Sequence, residues 1–502
     1  MINIEVVDMK RLNTLILLLS FGLISPTDGK QVVDLTLRRA VEIAMDNSYR
    51  IKQLRLGIER TRYWLKAERA GLKSKFYMNL IAPDIQRISD YKWDSNLGKD
   101  VIVRQNTQRI QMNFSIRQPV VFLGYPTNGY LSLNNQIYRY VQTDGIRDVS
   151  FYNRYFIKFE QPFFQPNILK NAIEDAELDL ERSELEYIDD QVDFFGEIAE
   201  YYFNMFELAY KNVLYSQHIE LLSQFASLVE RRIAADPSRK IEENQVTIER
   251  ANTQENYLTN LSKLRIKTAE MRQVLRMHNN DTLVVSPEID IKEIKIDVQQ
   301  AIQSGLTLHP RIQMLNISRR KDEIDLQNTR GWNSFRVDLE MTYGIEKEDE
   351  RYRRLWQETD MSNSIKLNAY IPLWDWGQRR ARIEAEKISL LKTELYIEER
   401  QTQVESEIRT AVTNLEEYQK RAISMRQNME MSQHVTLQSK DDYRDGKITL
   451  QDFMQTLARQ KETEVNFLNA YLGYRKSLIT LMEKTYYDYE TSTALLDQFK
   501  ID

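Results

Sequence analysis

The chain has no cysteine, which excludes disulfide frameworks, thiolate metal ligands, thiol nucleophiles and a lipid anchor on an N-terminal cysteine. Histidine is almost as scarce. Its four copies, His218, His278, His309 and His434, never fall within helical reach of one another, so a His-rich metal site or a clustered acid–base mechanism has nothing to build on. Neither sign of charge dominates: 69 Lys and Arg face 74 Asp and Glu for a net charge of -5, and no basic tract offers itself to nucleic acid. Long apolar runs are missing too. Only Leu12 to Ile24, behind Lys10 and Arg11, is nearly continuous, and about 13 residues fall short of the roughly 20 that a spanning helix needs. It reads as the apolar core of a signal peptide over residues 1–29 that takes the mature chain out of the cytoplasm. Residence in a membrane would then have to come from strands.

Proline and glycine punctuate the chain unevenly. All ten Pro lie at or before Pro372, and beyond it Gly occurs only at 377, 446 and 473. Pro166 to Pro237 and Gly377 to Gly446 each bracket about 70 residues, or about 100 Å of helix. Apolar residues step by three and four through Leu185, Ile188, Val192, Phe195, Ala199, Tyr202, Phe206, Ala209 and Val213. They do so again through Val404, Ile408, Ala411, Leu415, Tyr418, Ala422, Met425 and Met429. This is the seam of helices wound on one another. Each interval closes in a turn signal, at Asp236-Pro237-Ser238 and at Asp445-Gly446-Lys447, and a further amphipathic run follows, from about Glu242 to His278 and from about Thr449 to Tyr487. The pattern predicts two long helical hairpins, the second with Thr449 as N-cap.

Between the helices the period changes to two. Phe335–Tyr343, Ile365–Ile371 and Ile110–Arg117 alternate apolar and polar, and Phe76–Ile81, Tyr130–Asn134 and Tyr155–Glu160 do so less cleanly. A lipid-facing barrel requires one apolar and one polar face, although half-buried soluble sheets share the pattern. The arrangement occurs twice. Ala40 with Arg50 corresponds to Ala301 with Arg311 at an offset of 261, and Pro162 corresponds to Pro372 at an offset of 210. The first half therefore carries about 51 extra residues (261 minus 210) in its strand region, whose place as loop, plug or wall the sequence leaves open. The expected organisation is residues 1–29 as signal, 30–290 and 291–490 as two repeats, and 491–502 as a tail. Four to six strands are too few for a closed membrane barrel, which takes about eight, so several copies must share one. Trp332, Trp356, Trp374 and Trp376 surround the second strand pair, as an interfacial girdle would.

On these features the chain resembles the TolC family of trimeric outer-membrane export channels. The likeness rests on Pro372-Leu-Trp-Asp-Trp-Gly377 after a strand, with Pro162 in the matching place, on Leu308-His309-Pro310-Arg311-Ile312, and on Tyr443-Arg-Asp-Gly446-Lys-Ile-Thr-Leu-Gln-Asp452-Phe453 at the second hairpin. The resemblance implies a mainly helical fold with a β-barrel shared by three chains, each giving four strands, and a periplasmic tunnel of long antiparallel helical hairpins. It implies no enzymatic activity and no cofactor. Its implied partners are two further copies, outer-membrane lipid, a periplasmic adaptor and an inner-membrane transporter driven by protons or ATP, in an efflux pump or type I secretion route. Most of the chain would lie in the periplasm. Asp452 matches the family's acidic ring at the tunnel constriction, and Gln455 stands where a second acid is usual. Tyr443, Gly446, Asp236 and Pro237 mark the hairpin tips that would meet the adaptor, while Pro162, Pro372 and Gly377 mark strand-to-helix junctions.

The residues alone leave other readings. Asp452 also suits an anion-favouring helix N-terminus without any ring. A secreted or periplasmic coiled-coil structural or adaptor protein would show the same helical seams. A nucleotide site is not supported, since Gly124 to Gly129 lacks the Lys-Ser/Thr of a phosphate loop.

Overall fold

The structure is a computed structural model that describes residues 32–143, 148–235, 239–277 and 282–495 of the chain. The expected signal peptide, the tip residues Asp236 and Pro237, His278 and the end of the expected tail lie outside the described residues. In chain order the elements are β1 (Val32–Asp34), α1 (Leu37–Asn47), α2 (Tyr49–Ala70), β2 (Lys75–Asp94), β3 (Lys99–Phe122), β4 (Tyr125–Gln142) and β5 (Asp148–Phe163). Helices α3 (Ile168–Ala235) and α4 (Lys240–Leu275) follow, then β6 (Thr282–Val284), α5 (Val298–Leu308), α6 (Pro310–Gly331), β7 (Arg336–Asp349) and β8 (Asp360–Tyr370). The last long helices are α7 (Gln378–Arg444) and α8 (Leu450–Thr485), before the short β9 (Tyr487–Asp488) and β10 (Thr493–Ala494).

Corresponding elements match in length. The pairs α1–α2 and α5–α6 both measure 11 and 22 residues, α3 and α7 measure 68 and 67, and α4 and α8 measure 36 each. Helices α1 and α5 start 261 positions apart (298 minus 37), and α3 and α7 start 210 apart (378 minus 168). The difference falls where β3 and β4 stand. Uninterrupted helices of about 100 Å follow from the sparse Gly and Pro in these stretches.

Described residues up to Tyr49, with Asp193–Lys295 and Ala411–Glu483, form one compact unit; Arg50–Val192, Ile296–Thr410 and those from Lys484 onward form another. In the first unit β1 pairs in parallel with β6, and Thr36 caps α1 by accepting from Arg39 N at 3.2 Å. The unit is otherwise helical, and Gly473 of α8 lies so close to the Tyr418 ring of α7 that an added Cβ would meet it at 2.3 Å. The predicted seam holds along α7 from Val404 to Ala422 except at the half-buried Tyr418, and along α3 it drifts. Val213 is 40% exposed while the next residue, Leu214, is 7% exposed. A straight helix turns away from a strict 3.5 repeat by about 20° per heptad, which moves the buried stripe on by one residue.

The second unit holds a sheet of six strands in the order β2-β3-β4-β5-β7-β8, every pairing antiparallel. This corrects the four strands per chain implied by the family resemblance. The six predicted strand segments all lie within or overlap strands, and the strands extend further. β3 runs over 24 residues where alternation predicts eight, because Gln105-Asn106-Thr107-Gln108 is polar throughout and shows no period. In the same unit α2 and α6 both meet the first part of α3, with Thr61 Oγ1 3.1 Å from Ser183 Oγ and Arg320 paired with Glu174, while Ile51, Ile58, Leu65, Ile317 and Ile324 are buried. Ion pairs such as Arg320–Glu174 and Arg69–Glu177, both 2.7 Å and half exposed, contribute about 0–1 kcal/mol each.

Candidate functional site: a two-faced sheet and a capped helical tip

Residues paired across a ladder share a face, so the register sorts the sheet's side chains. On one face β2 places Phe76, Met78 and Leu80 beside Ile116, Phe114 and Met112 of β3. The same face continues through Leu131 and Leu133 of β4, Tyr155, Ile157 and Phe159 of β5, Leu339, Met341, Tyr343 and Ile345 of β7, and Met361, Ile365 and Leu367 of β8. Most of these large apolar side chains are exposed. Asn135 and Asn153 interrupt the band, and they hydrogen bond to each other at 2.7 Å.

The opposite face is polar. Lys158 reaches Glu160 at 2.8 Å and Glu340 at 3.1 Å, Arg154 reaches Glu346 at 3.4 Å, and Ser115 donates to Asn134 at 2.6 Å. Its aromatics are covered by guanidinium groups, Arg109 over Tyr138 at 4.3 Å and Arg117 over Tyr130 at 3.7 Å. A soluble sheet would bury its apolar face and leave the polar one in water. Here the apolar face is left open, and no helix of the described residues is long and apolar enough to cross a membrane.

The strand-to-helix junctions are built from local hydrogen bonds. Pro162 stands opposite Asp338, one residue before the β5 ladder ends at Phe163 and Val337, and Asn167 caps α3 by accepting from Lys170 N at 3.0 Å. After β8, Pro372 cannot donate to a further ladder. The carboxylate of Asp375 accepts from Gly377 N and Arg379 N, both at 3.0 Å, and opens α7, while Gly377 takes a φ of +80° that favours glycine. Trp374 and Trp376, 76% and 89% exposed, stack edge to face here with centroids 5.7 Å apart.

The tip of the first unit joins both hairpins. Leu222, Phe225, Val229, Val246, Tyr443, Leu450, Phe453 and Leu457 form one buried cluster, with the Phe225 and Phe453 rings stacked at 3.8 Å. Tyr443 lies fully inside it, donates its hydroxyl to Glu242 and packs under Arg232; burial and then Glu242 push its phenol up. Of the tip residues expected to meet an adaptor, Tyr443 thus has its side chain packed inside this cluster. Gly446 has φ +81°, and the chain folds back as Lys447 N donates to Asp442 O at 2.9 Å.

Asp452 and Gln455 are both exposed on α8. Asp452 accepts from Thr449 N at 3.0 Å and from its hydroxyl at 2.7 Å, while Asp452 N donates back to Thr449 Oγ1 at 3.2 Å. This reciprocal pair is a capping box. The Thr449 hydroxyl, then its N–H, hold the carboxyl below the usual range.

The partners of two buried histidines escaped the sequence reading. His218 Nε2 lies 2.6 Å from Glu464, whose other oxygen accepts from Gln433 at 3.0 Å and Gln460 at 2.8 Å. Burial raises the Glu464 carboxyl, but His218 and the two amides more than offset it and leave it below the usual value. In the second unit His309 caps α6, accepting from Arg311 N at 3.3 Å, with Arg400 Nη2 3.1 Å from its Nε2. No sequence period marks partners 246 or 91 residues apart. Among the described residues no cluster of metal-ligating side chains occurs.

Comparison with known proteins agrees with this geometry. Residues 302–485 match the family described as outer membrane efflux protein. No curated protein matches the sequence. Among solved structures, the chain is similar to CusC, described with transmembrane channel formation, at 12% identity and a TM-score of 0.63 over 91% of this chain and 93% of that one. It is similar to the outer-membrane channel CmeC of Campylobacter jejuni at 12% identity and a TM-score of 0.60, over 92% and 90% of the two chains. VceC, an outer membrane protein of Vibrio cholerae, gives 12% identity and 0.61 over 89% and 95%. Residues 302–485 thus match the outer membrane efflux protein family, and the chain shares the fold of CusC, CmeC and VceC.

Proposed function

We propose that this chain is the outer-membrane channel-tunnel component of an efflux pump or type I secretion system, assembled as a homotrimer and lying mostly in the periplasm. The observation that carries the reading is the apolar band in register across all six strands, backed by a polar face laced with ion pairs. Lipid satisfies the first face and a water-filled bore the second. The exposed Trp374 and Trp376 suit the membrane–water interface at the strand-to-helix junction. The chain transports without chemistry of its own. An inner-membrane transporter, driven by protons or ATP, supplies the energy, and a periplasmic adaptor meets the hairpin tips around Gly446, Asp236 and Pro237. Three copies of Asp452, with Gln455 one turn on, would place negative charge around one axis and oppose passage of anions.

The test is envelope fractionation with detergent extraction. Recovery in outer membranes as a detergent-soluble trimer that co-purifies an adaptor supports the reading. A water-soluble monomer after export overturns it in favour of a periplasmic structural or adaptor protein.

A further inference from the structure

The six-stranded sheet ends in two open rims. Among the described residues β2 has a neighbour only in β3, and β8 only in β7. The rims are also where the apolar face is most open, with Phe76 and Met78 on β2, and Ile365 and Leu367 on β8, each about two-thirds exposed or more. In hydrocarbon an unpaired rim leaves a row of N–H and C=O groups without water or partner, so spanning sheets must close. Six strands are fewer than the roughly eight of the smallest membrane barrels, so the chain cannot close on itself.

The rims fit one another. All five ladders are antiparallel, so direction alternates along the sheet and β2 and β8, first and last of six, run in opposite senses. β8 of one copy can therefore pair with β2 of another as one more antiparallel ladder. Both faces continue across such a seam: Phe76 and Met78 come beside Ile365 and Leu367 on the apolar side, and Tyr77 and Asn79 beside Ser364 and Lys366 on the polar side. The extra residues of the first half do not leave this wall. β3 and β4 have strands on both sides, β3 from Thr107 to Arg117 and β4 from Tyr130 to Gln142, and carry the apolar band through Met112, Phe114, Ile116, Leu131 and Leu133.

We propose that the membrane wall of this protein has eighteen strands, six from each of three copies, closed by β8–β2 pairing between copies, in place of the twelve implied by the family resemblance. The number of copies rests on the functional reading above; the number of strands per copy rests on the sheet. Barrel diameter grows roughly linearly with strand number, so this wall is about 1.5 times as wide as a twelve-stranded one, in the range where barrels enclose an aqueous channel. The additional lining comes from Asn113, Ser115, Asn134 and Gln136 on the polar face of β3 and β4.

The experiment is electron cryomicroscopy of the full-length protein in lipid nanodiscs, with strands counted in the wall, alongside disulfide trapping in this cysteine-free chain. Asn79→Cys is combined in turn with Ser362→Cys, Ser364→Cys and Lys366→Cys, and oxidised in membranes. Eighteen strands and a covalent trimer from at least one β2–β8 pair are expected. Twelve strands, or a scan in which no β2–β8 pair gives a covalent trimer, would overturn the proposal even if the particle is a membrane-embedded trimer. A water-soluble monomer would instead overturn the functional reading on which the copy number rests.

Discussion

His309 caps α6 with its imidazole, and both ring nitrogens face N–H donors, so a second ring proton finds no acceptor. Burial and then Arg400 lower its pKa from 6.5 to about 4. The unfolded chain therefore binds this proton at higher pH than the folded one. The contribution to stability is whole above pH 6.5, is lost as pH falls from 6.5 towards 4, and levels off below, a span worth ~3 kcal/mol. His309→Asn keeps a capping acceptor that does not titrate, so its melting temperature should depend less on pH across that window than the parent's; equal slopes would refute the assignment. Asp452 has two roles that one pair of variants separates. Asp452→Asn removes the charge and keeps a capping oxygen, whereas Asp452→Ala removes both. Leak current or cation block should change in both variants, and only the alanine form should melt earlier. Unchanged currents in both would leave Asp452 as a cap alone.

Among the elements, the tip cluster and the two-faced sheet give the clearest expectations. Tyr443 is fully buried between Phe225 and Arg232, so Tyr443→Ala should cost about 3–5 kcal/mol by leaving a cavity, measured by denaturant unfolding. A loss near zero would mean that the cluster does not hold the hairpins together. Ile365→Arg on the apolar face should destabilise the membrane-inserted sheet by about 2–4 kcal/mol, while Ser364→Arg, one residue away on the polar face and opposite Thr342, should cost much less. Equal penalties would contradict the sidedness. The long helices were legible because a 3.6 period persists where Gly and Pro are rare. The strands were legible only where one face is apolar, which is why β3 and β7 run past their predicted ends into polar sequence such as Glu346-Lys347-Glu348-Asp349. Inclusion of β3 and β4 in the sheet depends on long-range pairing that one segment's alternation cannot reveal. The same holds for His218 with Glu464, and for Tyr443, whose turn-like setting in the sequence concealed a core position.

The whole chain carries a sheet with one exposed apolar face as well as helices that read as coiled coils, and its composition follows from that division. Mean hydropathy is -0.55, because the apolar face of the sheet takes only alternate positions of a few strands. Absence of any spanning helix among the described residues therefore says nothing against membrane residence through strands. Single-channel recording of the purified full-length protein in a planar lipid bilayer tests this account most directly. Stepwise conductance, with cation block altered by Asp452→Asn, is predicted. Protein that remains in the aqueous phase and produces no current steps at any concentration would contradict it.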